Sequence, residues 1–361
     1  MVYRVIGLMS GSSLDGLDIA FTELDDSGGK WAYNITHADC IAYSAEWVEK
    51  LQGAKLLNAF DYLVLHAEYG RYIGGAVNSF IEANNLHHQV QLIASHGHTV
   101  FHAPGSGMTA QLGDGATIAA VTGINVVSDL RAMDVALGGQ GAPIVPVGEK
   151  LLWNDTKYFL NVGGIANVSF NKEGMFTAFD VCPANRVLNM LAQLAGKPFD
   201  EDGDIAKTGN VDIDLLVQLN RQEYYRQAPP KSLANEFGTD VLYPIIMNAN
   251  LPVEDALRTY VEHIAEQVTG AFYDMEAGKG KLLVTGGGAF NGFLIERLQN
   301  MLAPLAVEVT VPGKNVVQYK EALVMALLGL LRWREENTVM SSVTGATRDS
   351  IGGAVWMGLE A

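Results

Sequence analysis

The chain has 361 residues, 48% of them hydrophobic and 18% charged, a globular composition in a length that exceeds one core and predicts two lobes. Its formal net charge of −16 excludes non-specific nucleic-acid binding, which needs Lys and Arg in excess, so an anionic ligand has to be held by local donors or a metal ion. The longest apolar run, Ala322 to Leu331, is too short to span a bilayer, no basic-then-apolar leader opens the chain, and two well-separated cysteines, Cys40 and Cys182, fit a reducing cytoplasm with no membrane partner.

Val2 to Ile6 and Leu17 to Phe21 read as two strands of a hairpin, joined through Gly7-Leu8-Met9-Ser10-Gly11-Ser12-Ser13-Leu14-Asp15-Gly16-Leu17-Asp18. Gly11 and Gly16 are expected to supply positive φ and close approach, and Ser10, Ser12 and Ser13 to add hydroxyl donors. Such a tip can present donors to a phosphate oxygen, although Gly/Ser turns are also ordinary hairpin punctuation. Trp31 to Tyr43 is extended, and Ala45 to Asn84 is helical, with Leu56, Leu57, Phe60, Leu63, Val64 and Ala67 expected to pack on the sheet.

Gln91 to Ser95 is a short buried strand that is expected to deliver Ser95-His96-Gly97-His98-Thr99 to its C-terminal end, where α/β sheets bind ligands. His96, His98 and His102 can be read as zinc ligands, but no nearby Cys completes a set, and neutral imidazoles bonded to ligand hydroxyls suit a polar cleft equally well. Asp114 stands at the N-cap of an apolar helix. After the strand Ile124 to Ser128, Arg131 is a candidate for holding an anion or sugar oxygens, with a salt bridge to Asp129 or Asp134 as the competing reading. Gly138 to Pro143 then looks like the crossing between lobes, dividing the chain into 1–140 and 141–361, with the final helix returning to the first lobe.

Near residue 158 the opening pattern returns: Tyr158 to Val162, the turn Gly163-Gly164, Ile165 to Phe170, and a third strand ending on Asp180. Strand, glycine turn and strand occurring twice predict two related lobes facing a cleft. Asp180 sits where a general base would be placed, or alternatively where a helix N-cap would be. Asp200 to Asp204 does not satisfy a calcium loop, since Gly203 falls at the fourth position and Val211 replaces the final Glu. Val253 to Met275 is one long helix, a core element or an intersubunit contact. Lys281 to Val284 opens onto Thr285-Gly286-Gly287-Gly288-Ala289-Phe290-Asn291 before a helix from Gly292, an arrangement that lets a nucleotide lie against backbone and helix dipole.

Taken together, these stretches resemble the anhydro-N-acetylmuramic acid kinases of the sugar kinase, Hsp70 and actin superfamily. The resemblance also rests on Gly113-Asp114, Pro230-Lys231-Ser232, Glu321-Ala322 and Ser342 to Ala346. It implies an α/β, two-lobe actin-like ATPase (ribonuclease H-like) fold with ATP in the cleft between lobes, and a homodimer. It further implies hydrolytic opening of a 1,6-anhydro ring with phosphorylation of O6 by ATP and Mg²⁺, in cell-wall recycling.

By motif, Asp180 is the base that activates water and Glu321 the second acidic group. Gly11, Ser12, Ser13, Leu14, Asp15, Gly16, Leu17 and Asp18 hold the ATP phosphates, and Asn161, Gly163 and Gly164 form the second phosphate motif. Gly286, Gly287, Gly288 and Asn291 hold adenosine, and His96, His98, Asp129, Arg131 and Asn185 face the sugar, with no protein-held metal cluster. The chain departs from the family pattern at His98, Ala184, Asn235 and Gln318, and Ala184 takes positive φ less readily than the usual glycine.

Overall fold

The computed structural model describes residues 1–11, 14–172, 175–229, 231–234 and 236–358. Ser12, Ser13, Pro230 and Asn235, named above, lie outside the described residues. Two compact units emerge, Met1–Asn154 with Tyr319–Ala361, and Asp155–Gln318. The division therefore falls at 154/155 rather than 140/141. The helix Val145–Leu152 packs against the strand Lys30–Ala42, and this keeps the segment after Pro143 with the first unit.

The first unit is built on β1 (Val2–Ser10), β2 (Gly16–Ser27), β3 (Lys30–Ala42), β4 (Leu92–Ala103), β5 (Met108–Leu112) and β6 (Val126–Ser128). The second holds β7 (Tyr158–Val162), β8 (Ile165–Lys172), β9 (Met175–Pro183), β10 (Gly280–Thr285) and β11 (Val307–Thr310), and β12 (Ala354–Trp356) returns to the first. Strand order is β12-β6-β4-β1-β2-β3 in one sheet, with β5 beside β4, and β11-β10-β7-β8-β9 in the other.

In each unit the first three strands form an antiparallel meander, and two more, β4 and β6 in the first and β10 and β11 in the second, add in parallel on the other side of its first strand. The same order twice is the duplicated ribonuclease H-like arrangement of the actin-like ATPases, so the repeat suggested by the two glycine turns is present as topology.

Helix packing follows the apolar pattern with one reversal. In Ala59–Ala83 the buried stripe is Leu65, Tyr69, Ile73, Val77 and Phe80, whereas Leu56, Leu57, Phe60, Leu63 and Val64 are exposed, Phe60 at 74%. Both stripes have helical spacing, and the downstream one supplies the larger contact with the sheet. Val253–Asp274 is a core helix: Tyr260, Val261, Ile264, Val268 and Phe272 are fully buried, and the Phe272 ring meets Tyr158 and Phe170 edge-on at centroid distances of 5.0 Å.

Lys314–Trp333 is interrupted at Tyr319 (φ −117°), where the chain passes from one unit to the other. Its C-terminal part lies so close to the first sheet that a Cβ on Gly7 would collide with the Ala322 carbonyl and one on Gly329 with Ala94.

Candidate active site

In the first unit the turn between β1 and β2 is shaped by Leu14, which takes the positive φ (58°) expected of glycine and donates its N–H to the Gly11 carbonyl at 3.4 Å. Gly16 has a different reason to be glycine: it lies in β2, where a Cβ would stand 2.7 Å from both Cys40 Sγ and the Ile41 carbonyl. Asp15 accepts from the Gly16 N–H at 3.0 Å through Oδ1, and Leu17 is buried in β2. Asp18 follows, its carboxyl raised to about 6 by burial and by repulsion from Asp15 and Glu321, with a bond to Cys40 opposing the rise.

A carboxylate so placed opposes folding wherever it is ionised in both states. Asp18→Asn is expected to stabilise the ligand-free protein at pH 8 by about 1 kcal/mol after solvent screening. The gain should fade as the pH falls through about 6 toward the ordinary value of 3.8, and urea titrations at pH 8 and pH 5 measure it. Equal midpoints for the two proteins at pH 8 would contradict it.

His96 and His98 lie within β4, which runs on to Ala103, and not at a strand end. Between the Leu8–Ser95 and Ser10–His98 pairs β4 carries one extra residue, and Gly97 at φ +70° absorbs the bulge. A side chain there would collide with the Leu112 carbonyl.

The bulge turns His96 toward Arg131, whose Nε donates to His96 Nε2 at 2.8 Å. The imidazole therefore carries its proton on Nδ1, which donates to the Gly97 carbonyl at 2.8 Å, and burial with the adjacent guanidinium holds it neutral, near 3. Arg131 Nη1 donates to the Gly141 carbonyl at 2.6 Å. Burial lowers the guanidinium to about 10, with Glu321 opposing, so it stays charged at neutral pH. Among the described residues Arg131 makes no ion pair with Asp129 or Asp134, against the salt-bridge reading.

Asp134 instead accepts from the Gly141 N–H at 2.6 Å and from Thr344 Oγ1 at 2.7 Å, fixing the loop whose carbonyl holds Arg131. Sequence reasoning did not find this function of Asp134 and Thr344. The available signal was an acid buried between apolar neighbours in Met133-Asp134-Val135.

His98 Nδ1 shares a hydrogen bond with Ser10 Oγ at 3.0 Å, and Ser10 accepts from Tyr43 OH at 2.7 Å. His102 bonds to Thr109, and among the described residues no three His, Cys, Asp or Glu side chains are grouped to hold a metal. Asp114 caps its helix by accepting from the Thr117 N–H, as expected. Asp129, directly after β6, adopts a left-handed φ of 55°, which Asp tolerates better than most residues. Glu321 lies inside the helix Lys314–Trp333, and burial raises its carboxyl, opposed by Lys320 and Arg131.

In the second unit, the Asn161 to Gly164 turn, Asn185 and the three glycines come together. Gly163 and Gly164 carbonyls accept from the Asn185 and Ala184 N–H groups at 3.0 and 2.8 Å, and Asn185 Nδ2 donates to the Val162 carbonyl at 2.9 Å. A Cβ on Gly286 (φ +80°) would stand 2.5 Å from Asn161 Oδ1, and one on Gly288 would collide with Val162. These two glycines therefore let the turn approach β7, while a Cβ on Gly287 would meet only Asn185 Nδ2, at 3.3 Å. Asn291 caps Gly292–Leu302 through the Leu294 N–H at 2.9 Å. Ala184 sits at φ −129°, so the departure from glycine there needs no positive φ.

Asp180 lies inside β9, three residues before its end, and the N-cap position is Ala184, which removes the capping reading. Asn167 pairs with Asp180 and Ala166 with Cys182, so Val181 is a bulged residue beside the carboxylate. Asp180 Oδ2 accepts from the Leu233 N–H at 2.9 Å, its N–H donates to the Lys231 carbonyl at 3.1 Å, and its own carbonyl accepts from Tyr224 OH at 2.6 Å. Burial raises the carboxyl above the ordinary range, with the Leu233 bond opposing. The neighbouring Cys182 is fully buried and its thiol is pushed up, which removes thiolate reactivity.

A family model described as anhydro-N-acetylmuramic acid kinase matches residues 3–358. A protein of that name from Gloeobacter violaceus is 35% identical over 95% of this chain and 96% of its own length. Another from Vibrio parahaemolyticus is 34% identical over 95% of each. Among solved structures, an activator of 2-hydroxyisocaproyl-CoA dehydratase from Clostridium difficile with bound ADPNP aligns over 92% of this chain and 96% of its own, at 13% identity and a TM-score of 0.49. With the family model and full-length relatives both in agreement, this chain belongs to the anhydro-N-acetylmuramic acid kinase family.

Proposed function

We propose that the protein uses ATP to open the 1,6-anhydro ring of 1,6-anhydro-N-acetylmuramic acid by hydrolysis and to phosphorylate O6, forming N-acetylmuramic acid 6-phosphate and ADP in cell-wall recycling. The observation that carries this reading is Asp180, a carboxyl raised by burial and anchored through one oxygen to the Leu233 N–H. The other oxygen takes a proton from water as that water attacks C1. The C1–O6 bond breaks, O6 attacks the γ-phosphorus, and the bond from that phosphorus to ADP breaks.

Arg131, held by His96 and Gly141, supplies a fixed positive charge toward the sugar side, with His98, Asp129 and Asn185 as further sugar contacts and Glu321 as the second acid. The turn from Gly11 to Asp18, together with Asn161, Gly163 and Gly164, would bind the phosphates, and Gly286 to Asn291 the adenosine. Mg²⁺ would be held by the phosphates with Asp15 and Asp18. Burial first, then repulsion from Asp15 and Glu321, raises Asp18, and a cation held there would offset both. The ion neutralises phosphate charge, which so acidic a chain does not otherwise supply.

We also read the protein as cytoplasmic and dimeric. Two free cysteines, Cys40 and Cys182, support the first, and the exposed apolar row Leu56, Phe60 and Leu63 the second; sedimentation at monomer mass would contradict the dimer. Among the described residues no helix is long and apolar enough to cross a membrane.

The decisive experiment uses ¹⁸O-labelled water and ATP with mass spectrometry of the product. One heavy oxygen at C1 together with a phosphate on O6 is expected, and phosphorylation without label at C1 would remove the hydrolytic step. The pH profile gives a second check. Because Asp180 must be deprotonated, kcat/KM should fall on the acid side through a midpoint above the ordinary 3.8. A limb at or below 3.8 would take the base role from Asp180.

A further inference from the structure

Behind the Asp180 segment, wholly within Asp155–Gln318, lies a cavity of about 220 Å³. That is about seven water volumes, below the usual range for drug-sized ligands, so its occupant is small. The cavity contains two cations, Arg226 and Lys231, and two carboxylates, Glu266 and Asp274. Among the described residues none of the four makes an ion pair, so both signs share one space without direct contact, and Asp274 acts on Lys231 only through space.

Lys231 and Glu266 are half-buried, while Arg226 and Asp274 stand at the exposed mouth. Lys231 stands over the Tyr224 ring at 4.9 Å, and burial lowers its ammonium; burial raises Glu266 despite a bond from Asn220. A half-buried ammonium and a half-buried carboxylate without ion-pair partners are costly until a partner arrives.

The polar wall is fixed in advance. Asn220 Oδ1 accepts from Gln267 Nε2 at 2.8 Å and from His263 Nδ1 at 2.6 Å, so fully buried His263 takes the Tyr225 hydroxyl proton bond at Nε2, 3.0 Å away. Asn220 Nδ2 donates to Glu266 Oε2 at 2.5 Å. Each of these bonds constrains the next, which leaves the carboxylate in one orientation.

We propose that this cavity binds a small zwitterion of the amino-acid or dipeptide class, its carboxylate on Arg226 and Lys231 and its ammonium on Glu266 and Asp274, and that occupancy acts on Asp180. The route for that action is short. Phe179 and Val181, on either side of Asp180, line the cavity, and the Lys231 carbonyl and Leu233 N–H both bond to Asp180. A ligand that ties Arg226 and Lys231 to the helix Val253–Asp274 fixes the segment that presents the Leu233 N–H. The binding stands on these residues alone, whereas the action rests on the reading of Asp180 as the base.

Calorimetry of the full chain with alanyl-alanine tests the binding, with N-acetyl-alanyl-alanine amide, the same skeleton without charges, as comparison. Millimolar or tighter binding of the free dipeptide is expected, at least about tenfold weaker for the blocked form and for Arg226→Met and Glu266→Gln. Two variants on opposite sides of the cavity keep the test open should one fail to fold. Absence of binding, equal binding of the blocked form, or binding untouched in both variants would overturn the site.

Saturating dipeptide is further expected to raise sugar-dependent kcat by about twofold without changing KM for ATP. Unchanged kcat in an enzyme that turns over normally without dipeptide would overturn the action on Asp180. Absence of all sugar-dependent turnover would instead count against the kinase reading.

Discussion

Asp180→Asn is expected to lower sugar-dependent turnover by about 100- to 10,000-fold while leaving ATP binding within about twofold of the original protein. The substitution keeps shape and most contacts. The amide oxygen still accepts from the Leu233 N–H, and the bonds from Tyr224 and to Lys231 involve only main-chain atoms of residue 180. What disappears is the ability to take a proton from water. Coupled ADP release with the anhydrosugar measures the first quantity and calorimetry with ATP the second. Turnover within about tenfold of the original would remove Asp180 as the base.

Lys320→Met is expected to destabilise the protein by about 3–5 kcal/mol. Lys320 Nζ lies 2.5 Å from Glu149 Oε1, both side chains are buried, and Glu149 Oε2 has no hydrogen-bond partner among the described residues. Removal of the ammonium leaves a buried carboxylate without its counter-charge. The double variant Lys320→Met/Glu149→Leu should recover most of the loss, because the cost comes from the stranded charge and not from the missing pair. Urea unfolding measures all three proteins. A single variant no less stable than the double one would refute this account.

Much of this architecture is legible in the residues, for reasons that differ by element. The hairpins, the helix Gly292–Leu302 and the Asp114 cap follow local rules of alternation, glycine punctuation and side-chain capping, and they appear where those rules place them. The Leu56 to Val64 row is exposed; periodicity identifies a face without saying which of two faces is buried. Polar histidines and Gly97 read as a loop after Ser95, whereas a bulge carries them inside the β4 ladder. Asp180 likewise reads as a strand end but lies within β9 beside a second bulge.

Partnerships across long separations left no local trace. His96 with Arg131, Asp134 with Thr344 and Asp180 with Leu233 all depend on where the chain returns.

The discontinuity of the first unit has a consequence for biosynthesis. Asp155–Gln318 is contiguous and can complete its sheet as soon as it leaves the ribosome, while β1 to β6 must wait for Tyr319–Ala361, whose helix seats directly on Gly7 and Ala94. Nascent chains that end before Tyr319 should therefore carry a protease-resistant segment after Asn154 and a digestible segment before it, an inverted order for a protein made from its amino end.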